Sequence, residues 1–189
     1  MSTTLELLQQ GRKKEVWTKL CGYLDLNLNE FMEIQERLLM EQIQLLHNSA
    51  IGKKLLGERP PTSVEEFRQT VPLTRYENYV EFLQEQQEDG LPQAGPYYWA
   101  HTSGRSGEYS HKWTPYTSRM YERLGEVAVG AMILSSCTRK GEVNVEAGDV
   151  VLLATAPPPY VSGLLSHSTE EQGAFHFVPS LEVGEKMPF

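Results

Sequence analysis

The chain has 189 residues, 40% apolar and 22% charged, with a net charge of −8 and a pI near 5.2. That length suits one domain, or part of a larger one, able to bury roughly 70% of its unfolded surface. The acidic balance excludes a general nucleic-acid or anionic-membrane surface, which needs clustered Lys and Arg.

The N-terminus mixes acidic, basic and polar residues without the apolar core of a secretory signal. No apolar run approaches the length of a membrane span. Cys21 and Cys137 stand far apart, with no CxxC or Cys/His cluster, so neither a disulfide framework nor a zinc site is expected. A reduced, cytoplasmic chain with no nucleic-acid or membrane partner is the simpler reading.

Leu5, Leu8, Val16 and Leu20, set among Lys and Arg, predict a loose helix in an N-terminal extension over 1–28, with the main body over 29–189. Asn29 offers a helix N-cap, and Phe31, Ile34, Leu38, Gln42, Leu45 and Leu46 recur at helical period, predicting a helix from about Glu30 to Asn48. Such a stripe either binds a partner helix or, more commonly, faces a core. Ile51 to Leu56 adds a short turn before Gly57.

Pro60-Pro61 stops helix, and Ser63-Val64-Glu65-Glu66 is a capping-box pattern opening a short helix with Phe67. Thr74-Arg75-Tyr76-Glu77 is a second box, predicting a helix from Tyr76 to about Gln86 with Tyr79, Phe82 and Leu83 on one side. Gly90 to Pro96 then breaks the chain, either as a domain linker or, since it is short, as a connection inside one domain.

Tyr97-Tyr98-Trp99 reads as a strand running into Thr102-Ser103-Gly104-Arg105-Ser106-Gly107, with Lys112 downstream. Two glycines permit backbone dihedrals closed to other residues, so successive N–H groups can converge on an anion. Hydroxyls and a cation add directed donors.

A Walker A loop is excluded because no Gly-Lys-Ser/Thr occurs, and Gly104-x-x-Gly107 lacks the Gly-x-Gly of a dinucleotide turn. Gly104-Arg105-Ser106-Gly107 is one residue short of a nucleophile elbow, leaving a hydrolase as a weak alternative. His101 and His111 flank the loop, and His167 with His176 has no accompanying carboxylate motif, so no protein-bound metal is expected.

Thr117 or Ser118 caps a long helix through Met120, Leu124, Val127, Ala128, Ala131 and Leu134, ending before Gly141. Asp149 to Ala156 is a continuous apolar run, as expected of a strand covered on both faces in a parallel sheet. Pro157-Pro158-Pro159-Tyr160 gives a stiff extended exit, Ser162-Gly163 starts a turn or helix, and Ala174 to Val178 is the last strand candidate. The fold class expected is α/β: a helical N-terminal region followed by a small, mostly parallel sheet flanked by helices. The ending at Lys186-Met187-Pro188-Phe189 completes no alternation, as expected of the front part of a larger domain.

Thr102 to Gly107 with Lys112 resembles the phosphate-binding motif of adenylate-forming enzymes, Ser/Thr-Ser-Gly-Thr-Ser/Thr-Gly-x-Pro-Lys. Upstream, Phe31-Met32-Glu33-Ile34-Gln35, Pro61 to Phe67 and, most tellingly, Val71-Pro72-Leu73-Thr74-Arg75-Tyr76-Glu77-Asn78-Tyr79 resemble the auxin-responsive Gretchen Hagen type acyl-acid amido synthetases and their bacterial relatives. The resemblance runs from about Phe31 to the C-terminus, faintly beyond Gly141.

The resemblance implies a carboxylate attacking the α-phosphorus of Mg-ATP to give an acyl adenylate and pyrophosphate, then attack by an amine. Catalysis of that kind is largely electrostatic and positional. ATP with its Mg2+, a small carboxylic acid and an amine such as an amino acid are the implied ligands. Thr102, Ser103, Gly104, Ser106 and Gly107 would turn around the β and γ phosphates, with Lys112 as the cation.

Two departures stand out. Arg105 replaces the usual threonine, and four residues separate Gly107 from Lys112 where the general motif has two. Arg105 either contacts phosphate or points to solvent, and Lys112 either serves the loop or belongs to the surface of a following strand. The family's later motifs, for adenine, ribose and magnesium, lie beyond this length, so the chain as it stands is expected not to complete the reaction. The alternatives are a noncatalytic phosphate- or nucleotide-binding module, and a plain Gly/Ser connection from strand to helix.

Overall fold

The computed structural model describes residues 2–93, 95–104 and 109–179. In chain order they form helices α1 (Thr4–Gln9), α2 (Lys13–Cys21), α3 (Leu28–His47), α4 (Ala50–Leu56), α5 (Val64–Thr70) and α6 (Val80–Leu83). Strands β1 (Tyr97–His101) and β2 (Trp113–Thr117) follow, then α7 (Ser118–Ser136), β3 (Val150–Leu153), α8 (Val161–Glu171) and β4 (His176–Pro179). The fold is mixed α/β with a helical N-terminal region, and its strands form two pairs, β1 with β2 and β3 with β4. Residues 186–189, where the sequence suggests a cut ending, lie outside the described residues.

The chain divides into two compact units. The first comprises Met1–Asp25, Ala100–Ser103 and Arg119–Phe189, and the second Leu26–Trp99 and Gly104–Ser118.

In the first unit, residues 5–20 are not one loose helix but two short ones, separated by a turn in which Gly11 takes a positive φ of 66°. The Thr3 side chain accepts the Glu6 N–H while the Glu6 carboxylate takes the Thr3 N–H, satisfying two end groups of α1 reciprocally. These helices are core rather than appendage. Leu7, Leu8, Val16, Trp17 and Cys21 are buried with Val129 and Ile133 of α7, Val143 and Val145 of the following loop, and Ala174 and Phe175 before β4. Side chains such as Val16, Val129 and Ile133, fully out of water, contribute about 1.5–3 kcal/mol each.

α7 packs closely because it carries small residues where its neighbours cross. A Cβ on Gly130 would lie 3.3 Å from the Leu20 carbonyl oxygen, and one on Gly125 would lie 2.1 Å from Gln172 Nε2. α8 returns the chain so that β4 runs parallel to β3, with Val150 opposite His176 and Leu152 opposite Val178. The expectation that Asp149 to Ala156 is covered on both faces does not hold: the strand is shorter, and Val150 and Leu152 are 69% and 71% exposed. Alternation explains this, since Val151 and Phe177 pack on the helical core while Val150, Leu152 and Val178 point the other way.

In the second unit, α3 is capped by Asn27 rather than Asn29, through a reciprocal pair with Glu30. Its predicted stripe is not a buried face along its length: Ile43 is its one buried residue, and Leu28, Phe31 and Met32 are exposed. The segment from Ile51 to Leu56 is a helix, begun by Ser49, whose hydroxyl accepts the Gly52 N–H at 3.0 Å.

Ser63 caps α5 as expected, accepting the Glu66 N–H, but Glu66 reaches past it to the backbone N–H and hydroxyl of Thr62. The helix predicted from Tyr76 to Gln86 is instead a 3₁₀ turn over Tyr76–Asn78 and the single turn of α6. The Thr74 hydroxyl is occupied by Tyr79 Oη–H, and Asn78 Oδ1 takes the Arg75 N–H. Strand β2 begins directly after Lys112, where the sequence offered a following strand, and contains Pro115, a residue that sheets admit only at edges, strand starts and bulges.

Candidate functional site

β1 delivers the chain to the glycine loop from a fixed point. His101 is 6% exposed, its backbone N–H donates to the Pro159 carbonyl at 2.8 Å, and its ring meets Tyr160 edge to face at 4.5 Å. His101 Nδ1 lies 2.8 Å from the Thr102 carbonyl oxygen, which can only accept, so Nδ1 carries the proton. The proline run read from sequence as a stiff exit is therefore also the partner of His101 in the first unit. Directly after this anchor, Thr102 and Ser103 are exposed.

Gly104 is the first loop residue counted with the second unit. Its φ is +72°, and a Cβ placed on it would lie 1.5 Å from the Ser110 carbonyl oxygen. Both facts demand glycine, the first through the left-handed backbone and the second through contact with the returning loop. Arg105, Ser106 and Gly107 lie outside the described residues.

The loop's far end is built on a residue of the Val71 to Tyr79 phrase. Lys112 is half-buried, with Nζ 5.7 Å from the centroid of the Tyr76 ring. Tyr76 Oη accepts the Trp113 N–H at 3.0 Å and donates to Gln84 Oε1 at 3.0 Å, while Tyr109 meets the Tyr76 ring edge to face at 5.3 Å. Burial raises the Tyr76 phenol above its ordinary pKa, an effect the hydrogen bond at Trp113 opposes and the neighbouring Tyr109 reinforces. The phenol thus stays neutral and can accept and donate at once.

Sequence reasoning singled out both the phrase and the lysine without joining them. Nothing in the spacing of Tyr76 and Lys112 announces the contact, and Gln84 and Trp113 were missed altogether. The one available signal was that helix capping does not require the aromatic residue at 76.

Among the described residues, no group of three or more His, Cys, Asp or Glu is placed to hold a metal ion, and no helix is long and apolar enough to cross a membrane.

A model described as the GH3 family N-terminal domain matches residues 23–158. The chain belongs to the GH3 family. This is the family of the auxin-responsive acyl-acid amido synthetases, ATP-dependent adenylating enzymes whose substrates in general are acids and amino acids. The GH3 match encloses α3, the Tyr76 phrase, the glycine loop, α7 and β3, and ends within the proline run, before α8 and β4. No curated protein matches the chain, and no solved structure does.

Proposed function

We propose that this chain is the N-terminal part of an ATP-dependent acyl-adenylating ligase and that it does not complete the reaction by itself. Residues 29–189 are then the front of an adenylation-type α/β domain, preceded in sequence by the helical segment over 1–28, whose core residues pack with α7, and the protein works in the cytoplasm. The observation that carries this reading is the GH3 match enclosing the whole of Thr102 to Gly107 together with Lys112.

In the proposed reaction a substrate carboxylate attacks the α-phosphorus of ATP, pyrophosphate leaves, and an amine, such as that of an amino acid, then attacks the acyl adenylate and expels AMP. The part played here is electrostatic: Thr102, Ser103, Gly104, Ser106 and Gly107 enclose the β and γ phosphates with hydroxyls and backbone N–H groups, Arg105 adds a donor, and Lys112 supplies a point charge. Mg2+ enters with the nucleotide in this reading.

The test is pyrophosphate exchange with a panel of carboxylic acids. A chain extended downstream is expected to exchange, and the 189-residue chain is expected to bind ATP weakly, in the millimolar range, without exchange. No exchange by an intact extended protein with any acid would overturn the ligase reading. Micromolar ATP binding by this chain alone would favour a noncatalytic nucleotide-binding module.

A further inference from the structure

The described residues place one aromatic side chain under the only cation that the loop motif supplies beyond Arg105. Lys112 Nζ lies 5.7 Å from the Tyr76 ring centroid, within the range over which a ring face attracts an ammonium group. The same tyrosine fixes the next peptide, because Trp113 N–H donates to Tyr76 Oη at 3.0 Å and Gln84 Oε1 takes the phenolic hydrogen at 3.0 Å. Tyr109 closes against the edge of the ring at 5.3 Å. A lysine on a free four-carbon stem loses much rotamer freedom when it is ordered on an anion. One whose backbone is pinned and whose ammonium already rests on a ring has less left to lose, which is how preorganisation raises affinity.

We propose that Tyr76 is a positioning residue for the phosphate loop: its hydroxyl holds the Trp113 peptide and its ring holds the Lys112 ammonium, so that the lysine meets the terminal phosphates of a nucleoside triphosphate already ordered. The inference rests on the adenylation reading above and adds a residue that lies outside the glycine loop. Tyr76 touches no reacting atom in this scheme and acts through Lys112.

A double-mutant cycle on the 189-residue chain, with ATP and inorganic pyrophosphate titrated separately and followed by NMR, separates this role from plain strand support. Tyr76→Leu is expected to weaken binding about fivefold in the parent chain and by less than about twofold in the Lys112→Ala background. Tyr76→Phe, which keeps the ring but loses the hydroxyl that holds the Trp113 peptide, is expected to weaken binding about twofold, less than Tyr76→Leu. An equal loss from Tyr76→Leu in both backgrounds overturns the proposal. If Tyr76→Leu does not fold, a ring-fluorinated tyrosine at position 76 keeps the shape while draining the π face; unchanged affinity with it overturns the proposal too.

The ε-methylene protons of Lys112 give a readout that needs no ligand. They are expected to be shifted upfield by the ring, and the shift is expected to survive Tyr76→Phe. Absence of the shift sinks the inference and leaves the adenylation reading standing. A shift present in a chain that binds neither ATP nor pyrophosphate sinks the loop's phosphate role, and the positioning role with it.

Discussion

The hydroxyl of Ser168 accepts the backbone N–H of Gly125 at 3.1 Å and gives its own hydrogen to the Tyr121 carbonyl at 2.5 Å. Tyr121 and Gly125 are the acceptor and donor of a single i→i−4 step of α7, so a side chain of α8 is set into the backbone ladder of its neighbour. Only glycine at 125 admits so close an approach. Gln172 completes the seam by donating to the Glu122 carbonyl at 2.9 Å.

Gly125→Ala places a methyl group 2.1 Å from Gln172 Nε2 and 2.8 Å from the Ser168 carbonyl oxygen. The expected cost is about 1–3 kcal/mol of folding stability, as for overpacking elsewhere. Ser168→Ala, which leaves buried polar groups of α7 without this partner, is expected to cost about 1–3 kcal/mol. Urea midpoints measure both, and the double variant is expected to lose less than the sum because the two sites share one contact.

Gly104→Ala tests whether the loop geometry is required. The left-handed backbone alone costs about 1–2 kcal/mol for a residue with a Cβ, and the Ser110 carbonyl at 1.5 Å forces the loop to move as well. Stability is expected to fall by about that backbone cost, with a larger proportional loss in ATP and pyrophosphate binding measured by titration. Unchanged affinity in a folded Gly104→Ala chain would show that this turn does not shape the phosphate grip.

Tyr76→Phe removes the acceptor of the Trp113 N–H and the donor to Gln84 while keeping the ring in place. A loss of about 1 kcal/mol in folding stability is expected. Amide exchange of Trp113 should quicken more than that of residues distant in the same strand.

Asp25 supplies a pH dependence. Lys140 Nζ lies 2.5 Å from one carboxylate oxygen and Trp17 Nε1 donates to the other at 3.3 Å, and these contacts, that of Lys140 foremost, hold the carboxyl below its ordinary pKa. A depressed folded-state pKa stabilises the fold above the unfolded value and loses that contribution as pH falls through the folded value. Asp25→Asn is therefore expected to be less stable than the parent at neutral pH, with the gap closing below about pH 4. Thermal midpoints taken across that range check the sign, and a gap that widens in acid would refute the assignment.

Much of the local structure was readable because its causes are local. Ser63 caps α5, α7 begins at Ser118 and buries Gly125, Ala128, Val129, Gly130 and Ile133 while the predicted Met120 and Val127 stay exposed, and β3 and β4 occupy the two apolar runs. The α3 cap was misread by two positions because Asn27 and Asn29 both precede the stripe, and only the reciprocal bonds with Glu30 select the first. The Tyr76 helix was overextended because Thr74 and Glu77 match a capping pattern, while the hydroxyl that would cap is taken by Tyr79.

The order of residues by itself determined the family, the glycine loop with its hydroxyls, and the acidic, mixed α/β character of the chain, since motif spacing, composition and turn chemistry are properties of neighbours in sequence. Tertiary structure alone decided that the first helices are core, that one face of β3 and β4 stays exposed, that Ser168 enters the ladder of α7, and that Tyr76 lies under Lys112. Each of these depends on which distant segments meet and at what distance. No local periodicity carries that information, because the same apolar, hydroxyl or aromatic residue satisfies its own helix or turn whichever partner it finally meets.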